Sequence, residues 1–193
     1  MTHKFPNLDD SIYSDWWHAN HAWHTGDEAM AHHIYKNLRA NHSVEIFYQI
    51  QLKKPTKFVH PLGSVLGRAE YARHLVVYQG VSVGSTVDDE RPVFTGPCVL
   101  FPHSGVIGPV TVGKNVWITA GTIVEARPGK PFSLPDNCVV YKDWEGHRRG
   151  MLCGGWQQHP TTRSVIDTFF TPRRRTSDSG TPSRQPEADE RPE

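Results

Sequence analysis

The chain has 193 residues, of which 37% are hydrophobic, and its net charge is +1 with 21 basic and 20 acidic side chains. This length allows one domain with a sizeable core, and the balanced charge excludes the polybasic surface typical of nucleic-acid-binding proteins. The first eleven residues contain no apolar signal core, and no apolar run reaches the roughly eighteen residues of a membrane span. The sequence therefore predicts a cytoplasmic protein that binds neither nucleic acid nor a membrane.

Two amphipathic patterns follow one another near the N-terminus. The first begins at a polar cluster, residues 9–11, that is suited to cap a short helix. The second begins at residues 25–28, Thr-Gly-Asp-Glu, which have the pattern of a capping box. The predicted apolar faces contain Ile12, Trp16 and Trp17 in the first helix, and Met30, Ile34 and Leu38 in the second.

Residues 44–52 are ambiguous, because their apolar side chains fit two periodicities. Ile46, Phe47 and Ile50 fit one face of a helix, whereas alternation from Ile46 through Tyr48 fits a strand. Pro55 ends the segment, and this favours a third helix. Residues 1–55 are therefore predicted to form an N-terminal helical region.

Five histidines in this region raise the question of a metal site: His18, His21, His24, His32 and His33. A spacing of three does not keep three side chains on one helical face, and no cysteine or carboxylate completes a ligand set. We expect no metal here.

From residue 56 onward the dominant pattern has a period of six. Every sixth residue is apolar in two runs, and small or β-branched residues recur four places later. The runs are Val59, Val65, Tyr71, Val77 and Val83, then Phe94, Leu100, Val106, Val112, Ile118 and Val124. A helix does not have this period, and a simple strand has a period of two. A fixed hexad is typical of a parallel β-helix, in which each hexad is a short strand plus a corner.

Three hexads would close one triangular coil, so that residues eighteen positions apart stack inside it. The predicted inward columns are Val59/Val77, Leu100/Ile118, Val65/Val83, Val106/Val124, and Tyr71 with Phe94/Val112. The two runs are eleven residues apart, which breaks the period. Residues around 89–93 are therefore predicted to form a loop pushed out between coils.

The hexad period ends after Val124. Residues 126–131 predict a turn, and residues 138–141 a last strand. Residues 142–170 are expected to form a partly ordered extension packed on the β-helix, and residues 171–193 a disordered tail with almost no apolar side chains. The three cysteines follow no metal spacing, and Cys98, at a small-residue place of the repeat, is predicted to be a buried free thiol.

These hexads resemble those of the left-handed β-helix acyltransferases, and the arrangement is most similar to that of the serine acetyltransferases. Helices precede the repeat in both. Residues 60–65, His-Pro-Leu-Gly-Ser-Val, are similar to a family segment whose histidine is the general base. Residues 78–84 are similar to the stretch that leads to the acceptor and coenzyme A loop, and residues 135–140 match a Pro-Asp-Asn motif followed by an apolar pair. The resemblance covers roughly residues 25–141 and implies a left-handed parallel β-helix over residues 56–141.

The resemblance implies transfer of an acetyl group from acetyl-CoA to the hydroxyl of a small acceptor, by a homotrimer that needs no metal. His60 is the first candidate for the general base, followed by His103 and then His74. The candidate acceptor-binding residues are Asp88, Asp89, Glu90 and Arg91 in the predicted loop. The candidate coenzyme A residues are Gly84, Ser85, Thr119, Ala120 and Gly121.

The acceptor stays open, because the sequence departs from the serine acetyltransferases at two places. Val59 stands where they carry an aspartate before the histidine, and Glu90-Arg91-Pro92 stands where they carry Arg-His-Pro. Serine or a related amino acid is the first acceptor class, and Arg91 is suited to bind its carboxylate. A nucleotide sugar or surface glycan is the alternative, and a non-catalytic β-helix scaffold is the competing class. A zinc hydratase like the γ-carbonic anhydrases is disfavoured, because His60, His74 and His103 occupy unlike places in the hexad.

Overall fold

A computed structural model of the chain describes residues 8–142, 149–153 and 164–171. The helices in these residues are α1 (Leu8–His24), α2 (Glu28–His42) and α3 (Val165–Phe169). The strands are β1 (Glu45–Ile46), β2 (Thr56–Val59), β3 (Val65–Leu66), β4 (Leu75–Tyr78), β5 (Ser82–Gly84), β6 (Val93–Phe94), β7 (Cys98–Leu100), β8 (Gly105–Ile107), β9 (Val110–Val112), β10 (Val116–Ile118), β11 (Ile123–Glu125), β12 (Phe132–Leu134), β13 (Cys138–Lys142) and β14 (Arg149–Cys153). Of the helices so described, none combines the length and the apolar composition that crossing a membrane requires.

The strands form three sheets. The five-stranded sheet has the order β1-β3-β5-β8-β11, the six-stranded sheet β14-β13-β10-β7-β4-β2, and the three-stranded sheet β12-β9-β6. Pairing is parallel except between β13 and β14. From β1 to β13, consecutive strands belong to different sheets, so the chain winds around a common core. The predicted left-handed parallel β-helix is confirmed as a parallel solenoid of about five turns.

The interior columns of the later coils follow the hexad. Leu100 pairs with Ile118 and Val106 pairs with Val124. Phe94 pairs with Val112 in the three-stranded sheet, and the Tyr71 ring stacks on Phe94 with 5.5 Å between the ring centroids. Each of these side chains is buried, so the stacked coils supply one another with the apolar contacts that a single coil lacks.

In the first coil the predicted register was wrong by one residue. Phe58 and Leu66 occupy the interior and pair with the inward residues of the next coil, in place of their neighbours Val59 and Val65. Because side chains alternate along a strand, a shift of one residue turns both valines away from the core. The reason is the corner between β2 and β3: Phe58 and Leu66 are eight positions apart, whereas the equivalent inward residues of later coils are six apart.

The helix predicted for residues 44–52 is also wrong. The left-handed backbone of Ser43 (φ 52°) ends α2, and β1 then pairs with β3. The amides of Glu45 and Phe47 donate hydrogen bonds to the carbonyls of Ser64 and Leu66. These bonds satisfy the open backbone edge of β3, which an additional helix would have left without partners.

The two predicted N-terminal helices are present, but Asp27 rather than Thr25 caps α2. The Asp27 carboxylate accepts a hydrogen bond from the Met30 amide at 2.9 Å. Its carboxylate lies one position before the helix, within reach of the free amides of the first turn. Met30 is largely exposed, and Ala31 and Leu38 are the buried residues of this helix.

Helix α3 covers part of the outer face of the six-stranded sheet. Val165 and Phe169 pack against Trp117, and Phe101 stacks between Tyr78 and Trp117 with centroid distances of 5.2 and 5.8 Å. The helix therefore shields aromatic surface that the solenoid itself cannot bury. The predicted tail lies outside the described residues, apart from Thr171.

Cys98 is buried and free, as predicted, and burial raises the pKa of its thiol. The reactive species of a cysteine is the thiolate. We therefore expect iodoacetamide at neutral pH to leave Cys98 unmodified in the folded protein and to label it readily in denaturant, as measured by peptide mass spectrometry. Labelling at equal rates in both conditions would contradict the buried position.

Candidate active site

The corners of the solenoid form two edges on either side of the five-stranded sheet. We define the first edge as the corners shared with the six-stranded sheet: residues 60–64, 79–81, 101–104 and 119–122. The second edge is formed by the corners shared with the three-stranded sheet: residues 67–70, 85–92, 108–109 and 126–131. Two or three strand residues separate the two edges, which corresponds to roughly 10–13 Å between the flanking corner residues.

His60 lies on the first edge, in the corner where consecutive inward residues are eight rather than six positions apart. Its backbone is left-handed, with φ 48°, and its side chain is exposed. The Leu62 amide donates a hydrogen bond to the His60 carbonyl at 2.8 Å, which tightens the corner. The imidazole has no hydrogen-bond partner among the described residues, so both ring nitrogens are available to a ligand.

His103 lies on the same edge, in a column of glycines. Gly63, Gly80 and Gly121 occupy the equivalent corners, and all four residues have left-handed backbone. The imidazole of His103 lies over Gly80, where a β-carbon would collide with the ring. Any side chain larger than hydrogen at Gly80 would therefore displace the imidazole. The glycine leaves the space in which the ring lies along the edge.

His74, the third candidate base, is occupied by packing. Its ring contacts Phe170 edge-on, with 5.0 Å between the centroids. Burial lowers the pKa of His74, and the neighbouring charge of Arg73 lowers it further. His74 therefore packs against the residue that follows α3. His60 and His103, by contrast, are exposed and lie on the first edge.

The predicted coenzyme A residues are divided between the two edges. Thr119, Ala120 and Gly121 follow β10 on the first edge, where the Thr119 hydroxyl lies 3.1 Å from that of Thr122. A β-carbon at Gly121 would point into open space. Gly84 and Ser85, by contrast, lie on the second edge at the end of β5.

The predicted loop is present as residues 85–92, which we call the extruded loop, and charged side chains hold it in place. The Asp89 carboxylate accepts hydrogen bonds from Arg91 at 2.6 Å and from Arg68 at 3.3 Å. The Glu90 carboxylate accepts from the Gly129 amide at 2.8 and 3.1 Å with its two oxygens. Asp88 is exposed. The loop is thus joined both to the corner below it and to the turn above it.

The base candidates and the extruded loop therefore do not meet within one chain. His60 lies on the first edge, whereas Asp89 and Glu90 bind their own partners on the second edge. The sheet separates both carboxylates from the imidazole of the same chain by roughly 10–13 Å, so neither carboxylate orients it. A site that uses both groups requires the first edge of one copy and the second edge of another.

The sequence reasoning overlooked a cavity of about 580 Å³ beside the extruded loop, to which Lys53 and Arg68 contribute. The apolar pattern gave no signal for it, because the hexad predicts Val65 rather than Leu66 as the inward residue before Arg68. In the structure Arg68 lies in the corner after Leu66, and one coil later the same corner is the extruded loop. Arg68 and the acidic loop are neighbours because these two corners stack.

Comparison with known proteins yields matches in structure only. No protein-family model matches the sequence, and no curated protein matches it. A serine acetyltransferase in complex with cysteine superposes with a TM-score of 0.65 and 15% identity, over 81% of this chain and 57% of that chain. A serine acetyltransferase in complex with CoA superposes with a TM-score of 0.65 and 17% identity, over 77% of this chain and 58% of that chain. Serine acetyltransferase from Brucella abortus strain S19 superposes with a TM-score of 0.64 and 18% identity, over 79% of this chain and 62% of that chain.

These matches show that the chain has the fold of the serine acetyltransferases. The shared part includes most of this chain but spans less than two thirds of the length of each of those structures. At this level of identity a shared fold does not establish the roles of the site residues.

Proposed function

We propose that this chain is an acyltransferase that moves an acetyl group from acetyl-CoA to the hydroxyl of a small acceptor. The observation that carries the proposal is the exposed His60 on a widened corner of a solenoid whose fold matches serine acetyltransferases, one of them solved with CoA. A neutral imidazole titrates near physiological pH and is the usual general base for such a step.

In the proposed reaction, the acceptor oxygen attacks the thioester carbonyl while its proton moves to the His60 imidazole. A C–O bond forms, the C–S bond breaks, and the coenzyme A thiolate leaves as the carbonyl re-forms. The proton then passes from His60 to the sulfur, so that free coenzyme A and the O-acetyl product result. His60 returns to its neutral form without an oxidant or a metal.

The proposed coenzyme A groove uses small residues at both edges. Ala120 and Gly121 leave backbone exposed beside His103 on the first edge. Gly84 and Ser85 lie on the second edge, where β5 ends and the extruded loop begins. Small side chains let an extended pantetheine arm approach the backbone and place its thioester near the imidazole.

We further propose that the site lies between two copies of the chain, in a homotrimer. The separation of the edges supports this proposal, since His60 needs the extruded loop of a neighbour to meet an acceptor. A cyclic trimer would bring each first edge against the second edge of the next copy, which is a heterologous interface that closes on itself.

Mixing two impaired variants tests this arrangement. At an acceptor concentration below the KM of the unmodified protein, His60→Ala and Arg91→Ala should each have little activity, whereas trimers assembled from both should recover part of the activity. In these mixed trimers, an intact first edge from one variant meets an intact second edge from the other. Sedimentation should show a three-chain species, and a fully active monomer would contradict the proposal.

The acceptor class is tested by measuring thiol release from acetyl-CoA with amino acids and with nucleotide sugars. Arg91 in the extruded loop favours an acceptor with a carboxylate, because its planar fork binds carboxylates through two hydrogen bonds. We therefore expect serine or a related hydroxy amino acid to be acetylated and Arg91→Ala to raise its KM. Turnover with nucleotide sugars alone would favour the glycan alternative, and no thiol release with either class would favour a scaffold.

A further inference from the structure

The cavity beside the extruded loop has the volume of a small-molecule site. It measures about 580 Å³ and lies between the segment that precedes β2 and residues 68–71. Ligand pockets in proteins commonly measure roughly 300–1,000 Å³. The charged residues that line it are Lys53, Arg68, Glu70, Asp89 and Arg91, so three cations face two carboxylates.

Two guanidinium groups are held in place at this cavity. Asp89 accepts one hydrogen bond from Arg68 and one from Arg91. Arg68 also lies over the Phe47 ring, with its central carbon 5.4 Å from the ring centroid. A guanidinium has five N–H donors, and the bonds to Asp89 use one on each arginine. Most donors of both groups therefore remain for a ligand.

The positive charges that line the cavity outnumber its negative charges by one. One Asp89 carboxylate is shared by two arginines. The Lys53 ammonium forms no ion pair within the described part of the chain. Two guanidinium groups bonded to Asp89 and the Lys53 ammonium line one cavity, and such cations are the donors that bind a carboxylate or phosphate group.

We propose that this cavity binds the anionic group of a small molecule, a carboxylate or a phosphate, with Arg68 as its main ligand together with Arg91 and Lys53. The proposal deepens the proposed function, on which it rests only for assigning the anion to the acceptor. Binding of the anion itself requires no acyl donor and no turnover.

Calorimetric titration of the full chain with inorganic phosphate and with succinate, at constant ionic strength, tests the proposal. We expect the unmodified protein to bind at least one of the two anions. Arg68→Gln should weaken this binding about ten- to one-hundredfold, because hydrogen bonds to a charged ligand are lost. Arg68→Lys keeps the charge but loses the fork, and its affinity should be intermediate.

Arg73→Gln is the matched control, since Arg73 is an exposed arginine at a corner away from the cavity. It should bind as the unmodified protein does, and circular dichroism should show that all variants are folded. No binding of either anion, or equal binding by Arg68→Gln and the unmodified protein, would overturn the proposal.

The two proposals fail separately. If Arg68→Gln loses the anion but no acceptor is acetylated by the unmodified protein, the anion site stands and the proposed reaction fails. If acetyl transfer depends on His60 while Arg68→Gln still binds both anions as before, the reaction stands and the anion site fails. The anion that binds more tightly then indicates whether the ligand is a carboxylate or a phosphate.

Discussion

Val112→Asp should unfold the domain. The Val112 side chain is fully buried, with Phe94 and Leu134 as its partners in the neighbouring coils. An unpaired carboxylate in this position costs several kcal/mol. Small domains have total stabilities of only about 5–15 kcal/mol. We expect chemical denaturation followed by circular dichroism to show a large loss of stability or no folded baseline.

Thr111→Asp is the control for this change, because Thr111 is the next residue on the same strand and is exposed. The same charge on the outer face should leave the denaturation midpoint close to that of the unmodified protein. Equal midpoints for Val112→Asp and Thr111→Asp would mean that the interior column does not carry the fold.

His60→Ala should reduce turnover by about 100- to 10,000-fold, the usual contribution of a positioned general base. The variant should still bind coenzyme A and assemble as the unmodified protein does, because the exposed imidazole contributes no interior contact. Initial rates at saturating acetyl-CoA measure the effect, and a coenzyme A titration separates the loss of the base from a loss of binding.

His103→Ala is the comparison variant, since His103 shares the first edge and is equally exposed. We expect a smaller loss than for His60→Ala. A near-normal rate for His60→Ala together with a large loss for His103→Ala would move the base to the glycine column while leaving the class of reaction intact.

The hexad predicts the columns from Leu100 to Val124 well because this part of the chain contains no insertion between its inward residues. Leu100/Ile118 and Val106/Val124 pair at the predicted eighteen-residue interval. The prediction was wrong at Val59 and Val65, which are also apolar and six apart. Two additional residues in the corner after β2 change the phase there, and a valine alone does not indicate which face it will occupy.

The conformation of residues 44–52 depends on the strand beside them, β3. Their apolar pattern fits a helix and a strand equally well, and only the unpaired edge of β3 makes a strand the better solution. Local periodicity does not include the backbone partners that another part of the chain offers. The choice of Asp27 rather than Thr25 as the cap of α2 is local by contrast, since the Asp27 carboxylate accepts a hydrogen bond from the Met30 amide.

The sequence suggests candidate site residues one by one but not their arrangement, and their roles stay predictions. His60, Gly84 and Arg91 were each identified from the repeat and its resemblance to known transferases. The structure distributes them over two edges, because each strand crosses the five-stranded sheet between them. The pairing of Arg68 with Asp89 likewise depends on stacking of two corners that are 21 positions apart.

The sequence by itself determined that this chain winds as a β-helix, because a six-residue apolar period has one way to bury its side chains. It also determined where the winding is interrupted, around residues 89–93, since a broken period requires a loop. Only the tertiary structure decided which corner residues become neighbours, namely Arg68 with Asp89 and Glu90 with Gly129. These contacts depend on the register between coils, and the register is set by corner lengths that the apolar pattern does not record.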